Sequence, residues 1–254
     1  MECKNCANIF EGKYCNECGQ KVIDGRFTVK RFFLDLFQII TNVESGLWHT
    51  VRLLFTDPAQ VIRDYTSGIT RPYYPPLRFL IIWTSLTAII SISSGIYDIS
   101  QTDIHNFFNP NSDEEALLRQ QVVTEQMKKF MNFIPLVIIP FVAFFSYRFF
   151  RKRDLNYAEH LIAITYMSGQ LNLVGLPFLF FYIFFPSLVH YMVPVSIFYS
   201  CFYYAYVYKG LFKVSFGKGL LLGLLVYALG LLFMFITMMV LAIIGVMIYV
   251  LLFK

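Results

Sequence analysis

The sequence predicts an all-α polytopic membrane protein of about five transmembrane helices, with six as the alternative. A short zinc ribbon and amphipathic interfacial helices precede them. Three observations predict this. Of the 254 residues, 57% are hydrophobic and 15% charged, the mean hydropathy is +0.58, and the apolar residues fall in long blocks. Aromatics reach 19%, mostly Phe and Tyr, which suits lipid-facing and headgroup-level positions. The stretch from Asp57 to Arg78, DPAQVIRDYTSGITRPYYPPLR, separates a polar beginning from an apolar remainder. Four units follow: a ribbon at 1–20, a linker at 21–27, interfacial helices and membrane-entry segment at 28–76, and a helical bundle at 77–254.

The first residues are polar and Cys-rich with no apolar core region, so no signal peptide is expected and the first span directs insertion. The net charge of +5 reads as the positive-inside bias of membrane proteins rather than as a nucleic-acid surface.

Cys3, Cys6, Cys15 and Cys18 form C-x2-C-x8-C-x2-C. Two such knuckles set four thiolates around one tetrahedral ion, and zinc prefers that set. A segment this short cannot bury a core, so metal supplies its folding energy, typically about 10–16 kcal/mol for small zinc modules. A rubredoxin-like iron site and two disulfides are the alternatives, and a cytoplasmic location disfavours the latter. Four protein ligands leave no open coordination position, so the zinc is structural. Cys201 lies in an apolar run and reads as packing.

Thr28 to Ile40 reads as an amphipathic helix, with Lys30, Arg31, Asp35 and Gln38 opposite Phe32, Phe33, Leu36, Ile39 and Ile40. Asn42 to Phe55 is a second, and both are too short and charged to span. In the entry segment, Asp57 suits a helix cap, Pro58 its first position and Gly68 the left-handed residue past its end. The prolines at 72, 75 and 76 hold the next residues extended, with Tyr73 and Tyr74 at headgroup level.

Leu77 to Tyr97 is the first span. Ser112 and Glu115 form a capping box after an irregular loop. Met131 to Phe150 is the second span, kinkable at Pro135 and Pro140. Asp154 caps the third, Leu155 to Phe185, and Tyr191 to Tyr208 is the fourth. Gly219 to Phe253 is one long tilted or bent helix, or two spans broken at Gly230 or Gly245. Lys and Arg number ten before residue 79, but three against six acids in loop 98–130. The turns at 148–153 and 209–218 hold four and three. The positive-inside rule therefore puts the N-terminus and both basic turns inside and loop 98–130 outside.

On the third span Asn156, Glu159, His160 and Gln170 share one arc. Arg63, Asp64 and Arg71 are expected at the depth of Glu159 and His160. Such a cluster could bind a lipid headgroup or phosphate, or relay protons. The competing reading is an ion-pair network that locks the entry segment onto the bundle. No phosphate loop, nucleophile elbow or HExxH motif is present, so no catalytic residue is assigned.

CKNCANIFEGKYCNECGQK, GRFTVKRF, DPAQVIRDYTSGITRPYYPPLRFL and NYAEHL together resemble an uncharacterised bacterial membrane-protein family, the domain-of-unknown-function family 3667. The resemblance extends to about residue 170. The family typically has Gly-Lys-Arg where this chain has Gly68-Ile69-Thr70-Arg71. It implies an integral membrane protein with a metal site at Cys3, Cys6, Cys15 and Cys18, and no known activity. A second likeness, in layout, is to Yip1-like five-span proteins of membrane organisation. The expectation is thus a non-enzymatic protein of the bacterial inner membrane, multi-pass, with its N-terminus cytoplasmic. Its ribbon docks a protein partner, and its bundle meets the lipid bilayer and binds lipid or a membrane partner. A permease or lipid transporter, and an intramembrane enzyme using Glu159 and His160, are the alternatives.

Overall fold

The computed structural model describes residues 1–22, 26–30, 32, 46–95, 134–152 and 155–253. Most of the first amphipathic segment, the loop 98–130, its capping box at Ser112 and the cap expected of Asp154 lie outside the described residues. Among the described residues every extended element is a helix, and pairing is confined to two isolated bridges in the ribbon.

Two short helices come first, α1 (Gly46–Thr56) and α2 (Pro58–Ser67). The ends of α2 follow from its own residues. The Asp57 side chain accepts from Gln60 N–H, Pro58 opens the helix, and Gly68 closes it at φ 103°. The chain then turns through Pro72 and Pro75 into α3 (Pro76–Ser93). After it come α4 (Ile134–Phe149), α5 (Tyr157–Phe184), a 3-10 turn (Pro186–Tyr191), α6 (Met192–Phe212) and α7 (Phe216–Phe253).

Asn156, not Asp154, caps α5. Its side chain accepts from Glu159 N–H while Glu159 Oε2 accepts from Asn156 N–H at 2.7 Å, a reciprocal capping box.

The final apolar run is a single helix of 38 residues, passing unbroken through Gly230 and Gly245. At 1.5 Å per residue it is roughly 57 Å long. Gly219, Gly223 and Gly230 are contact points. A Cβ on Gly219 would lie 2.9 Å from Ala205 O, on Gly223 2.8 Å from Tyr204 Cβ, and on Gly230 2.6 Å from Val142 Cγ2. Gly219 and Gly223 therefore bring α7 close against α6, and Gly230 brings it close against α4. Gly169 does the same for α5 and α3, where a Cβ would meet Phe79 Cδ1 at 2.6 Å and Leu80 Cα at 3.2 Å.

Among the described residues, three helices are long and apolar enough to cross a membrane: Pro76–Ser93, Tyr157–Phe184 and the Phe216–Val240 part of α7. Ile89, Ile92, Phe180, Phe235 and Met239 are exposed along them, as lipid-facing residues should be. The core lies where the entry segment meets α3 and α5, around Tyr65, Phe79, Leu80, Ile162 and Tyr166. Tyr73 and Tyr74, expected at headgroup level, are 5% and 7% exposed and belong to this core. Tyr74 N–H donates to Thr50 Oγ1 at 2.7 Å, and Tyr166 OH donates to Tyr74 O at 2.7 Å. The proline-fixed turn lies beneath the bundle, and its backbone polar groups find partners there.

Candidate metal centre

The ribbon is two copies of one knuckle. Cys3 N–H donates to Asn8 O and Cys15 N–H to Gln20 O, both at 2.9 Å. Ala7 N–H returns to Cys3 O and Gly19 N–H to Cys15 O, again at 2.9 Å. Ala7 (φ 58°) and Gly19 (φ 69°) are left-handed at equivalent positions. Antiparallel bridges Glu2–Ile9 and Tyr14–Lys21 close each copy.

The four Sγ atoms lie within 4.8 Å of one another, with Cys3–Cys18 and Cys6–Cys15 at 3.6 Å. Four thiolates about 2.3 Å from one ion would stand about 3.8 Å apart, so the set fits a tetrahedral ion. It does not fit disulfides, whose sulfurs are about 2.05 Å apart. All five cysteines are free, and Cys201 lies outside the cluster. The Asn5 side chain, acting against the cost of burial, and then Gln20 N–H bring the Cys18 thiol down to about 6. These donors favour the thiolate, the ligating form.

The ribbon is seated on the turn between α2 and α3. Gln20 is 4% exposed and reaches across. Its Nε2 donates to Gly68 O at 2.8 Å and Thr70 Oγ1 at 3.0 Å, and its Oε1 accepts from Thr70 N–H at 3.2 Å and Arg71 N–H at 2.8 Å. Arg71 Nε answers by donating to Cys18 O at 3.0 Å, and Lys4 Nζ donates to Ser67 O at 3.2 Å. Past the ribbon, Arg26 holds Glu159 by two bonds, Nε to Oε1 at 2.9 Å and Nη2 to Oε2 at 2.5 Å. Phe27 then stacks on Tyr65 with ring centroids 5.5 Å apart.

Five polar residues were expected near one depth, and the structure gives them separate partners. Arg63 donates to Gly210 O near the end of α6 at 3.0 Å. Asp64 accepts from Tyr73 OH at 2.6 Å. Burial, then that hydrogen bond, push the Tyr73 hydroxyl above its usual range, so it stays a donor. Arg71 serves the ribbon and Glu159 the linker. His160 is fully buried: Nδ1 lies 3.0 Å from Ser146 Oγ, which accepts from Tyr208 OH at 3.0 Å. The imidazole stacks on Phe212 with centroids 5.4 Å apart.

Residues 44–88 match the family model described as protein of unknown function, DUF3667. The DUF3667 match covers α1, α2, the entry turn and most of α3, so the resemblance read from the sequence is shown over these residues. They are the stretch that carries the seat of the ribbon. No curated protein and no solved structure matches the chain. Gln20 and Arg26, which join the ribbon and linker to the bundle, had been read only as the last residue of the ribbon and as part of the linker. Their signal was only a polar residue directly after the second knuckle and a cation in an otherwise apolar Arg26-Phe27 pair.

Proposed function

We propose a non-enzymatic, multi-pass inner-membrane protein whose cytoplasmic zinc ribbon is fixed to the bundle and docks a protein partner, while the bundle binds lipid. The observation that carries this is the seat of the ribbon. A tethered module would not need a buried glutamine with four bonds to the membrane-entry turn. One face of the ribbon is therefore used within the chain, and Ile9 (82% exposed) and Tyr14 (57%) remain as apolar residues on its surface. Zinc is the ion that four thiolates in a tetrahedron favour. In this reading α4 and α6 cross alongside the three long apolar helices, making five spans. The ribbon end, with Lys209, Lys213 and Lys218, faces the cytoplasm.

Elemental analysis of the purified chain tests the ribbon. About one zinc per chain is expected, with none in Cys15→Ser; zinc retained in that variant refutes the ligand set.

A further inference from the structure

At the end of the bundle away from the ribbon, a cavity of about 320 Å³ opens between α3, α4, α5, α6 and α7. Thr87, Ser91, Asn172, Ser196, Ser200 and Tyr227 are among its lining, and no charged side chain lines it among the described residues. Thr87 Oγ1 donates to Trp83 O at 2.8 Å, and Asn172 Nδ2 donates to Ser168 O at 2.9 Å. The hydroxyl oxygen of Thr87 and Oδ1 of Asn172 retain the capacity to accept from a ligand. Hydroxyls and an amide around a void inside a bilayer-crossing bundle mark a polar ligand or its water.

A second, apolar groove of about 410 Å³ runs along α5 and α6, lined by Val174, Phe202, Tyr203 and Phe55 among others. Leu171 and Tyr199 line both spaces. Tyr199 OH reaches Leu171 O at only 3.4 Å, a weak bond that a better acceptor would displace. A chamber with hydroxyls and an amide among its lining thus shares a wall with an apolar channel, and the wall carries the weakly bonded Tyr199 hydroxyl.

We propose that this pair of spaces binds a single amphiphile, with an uncharged, hydroxyl-bearing headgroup in the cavity and an acyl chain in the groove. Among the described residues no cation lines the cavity to meet a phosphate, which disfavours an anionic headgroup. Size excludes a whole diacyl lipid from the polar chamber, which has the volume of about ten waters. An acylglycerol and a single-chain glycolipid share the required chemistry. The inference rests on the lipid-binding part of the proposed function.

The test uses the full chain in phosphatidylcholine nanodiscs, loaded separately with 1-oleoylglycerol, octyl glucoside or oleoyl lysophosphatidylglycerol and read by native mass spectrometry. One neutral amphiphile per chain should be retained, and whether the glycerol or the sugar headgroup is held more tightly identifies the source. Retention should fall at least tenfold in Asn172→Leu and in Tyr199→Phe, the second being the milder change should the first fail to fold. Equal retention of the lysophosphatidylglycerol overturns the headgroup assignment while leaving lipid binding intact. Retention of no amphiphile overturns both, leaving a water-filled cavity. Undiminished retention in both variants moves the binding elsewhere on the bundle and also overturns the proposal.

Discussion

Replacing Gln20 with Ala should release the ribbon from the bundle without disturbing its four-cysteine cluster. Four hydrogen bonds cross from the Gln20 amide to Gly68, Thr70 and Arg71. Each is worth about 1 kcal/mol net, and the groups left behind rehydrate in part, so the seat should weaken by roughly 2–4 kcal/mol. The knuckle itself is closed by the Gln20 carbonyl, accepting from Cys15 N–H at 2.9 Å, which Ala preserves. Thr70 and Arg71 N–H lose their acceptor, and at 1.4 kcal/mol per tenfold their hydrogen exchange should accelerate by roughly 30- to 1,000-fold. The assay is hydrogen exchange by mass spectrometry on the full chain in nanodiscs, following peptides across residues 68–72. Metal content is measured in the same samples. Unchanged exchange at Thr70 and Arg71 in a variant that still binds its metal would refute the claim that Gln20 fixes the ribbon.

Three other outcomes are expected. Arg26→Ala strands the Glu159 carboxylate, whose side chain is 4% exposed, and should lower stability in detergent by about 1–2 kcal/mol after allowing for the exposed arginine; adding Glu159→Gln should recover part of it, and strict additivity would mean that the pair is not coupled. Gly169→Val forces a side chain into Phe79 and the Leu80 backbone and should cost about 1–3 kcal/mol, read as a lower melting temperature; an unchanged melting temperature contradicts the close approach of α3 and α5. Single cysteines at the exposed positions Ser187 and Ser215 should label oppositely in spheroplasts, Ser187 from outside and Ser215 only after lysis, and external labelling of Ser215 reverses the proposed topology.

What the sequence made legible is local chemistry. Asp57, Pro58 and Gly68 fix α2 because each acts within one turn of its own backbone, and the cysteine spacing suffices to bring four sulfurs together. The seat of the ribbon was not legible, because Gln20 meets partners 48 to 51 residues away and Arg26 meets Glu159 at a separation of 133. Nothing near either residue announces such a contact. The long apolar helix was readable as one element, with Gly230 and Gly245 as breaks only in the six-span alternative, but the role of its glycines in packing was not. In a helix otherwise rich in large side chains they set how closely α4 and α6 approach. Tyr73 and Tyr74 illustrate the same limit: an aromatic pair beside prolines resembles an interfacial belt, and only the fold-back of α1 and α2 buries it.

The pair Glu159–His160 shows why shared arc is weaker than shared partner. Consecutive helical residues diverge by about 100°, which suffices here to send them to different neighbours. Glu159 turns to the linker, where its carboxylate holds Arg26 and completes the cap of α5. His160 turns to α4 and α6, where Ser146, Tyr208 and Phe212 enclose it. A general base needs its nitrogen within about 2.6–3.2 Å of a substrate proton. As placed, the imidazole has no solvent exposure, and the edge-on ring of Tyr147, with its centroid 5.8 Å away, adds to the enclosure. Both side chains are therefore engaged at the ribbon end, Glu159 with the linker and His160 with α4 and α6. The polar surface that remains for a ligand lies at the other end of the same helix, from Ser168 and Asn172 toward Tyr182, where it is neutral and hollow. An ion pair at one end of α5 and a hydroxyl-lined cavity at the other thus divide the polar groups of a single helix between two kinds of surroundings.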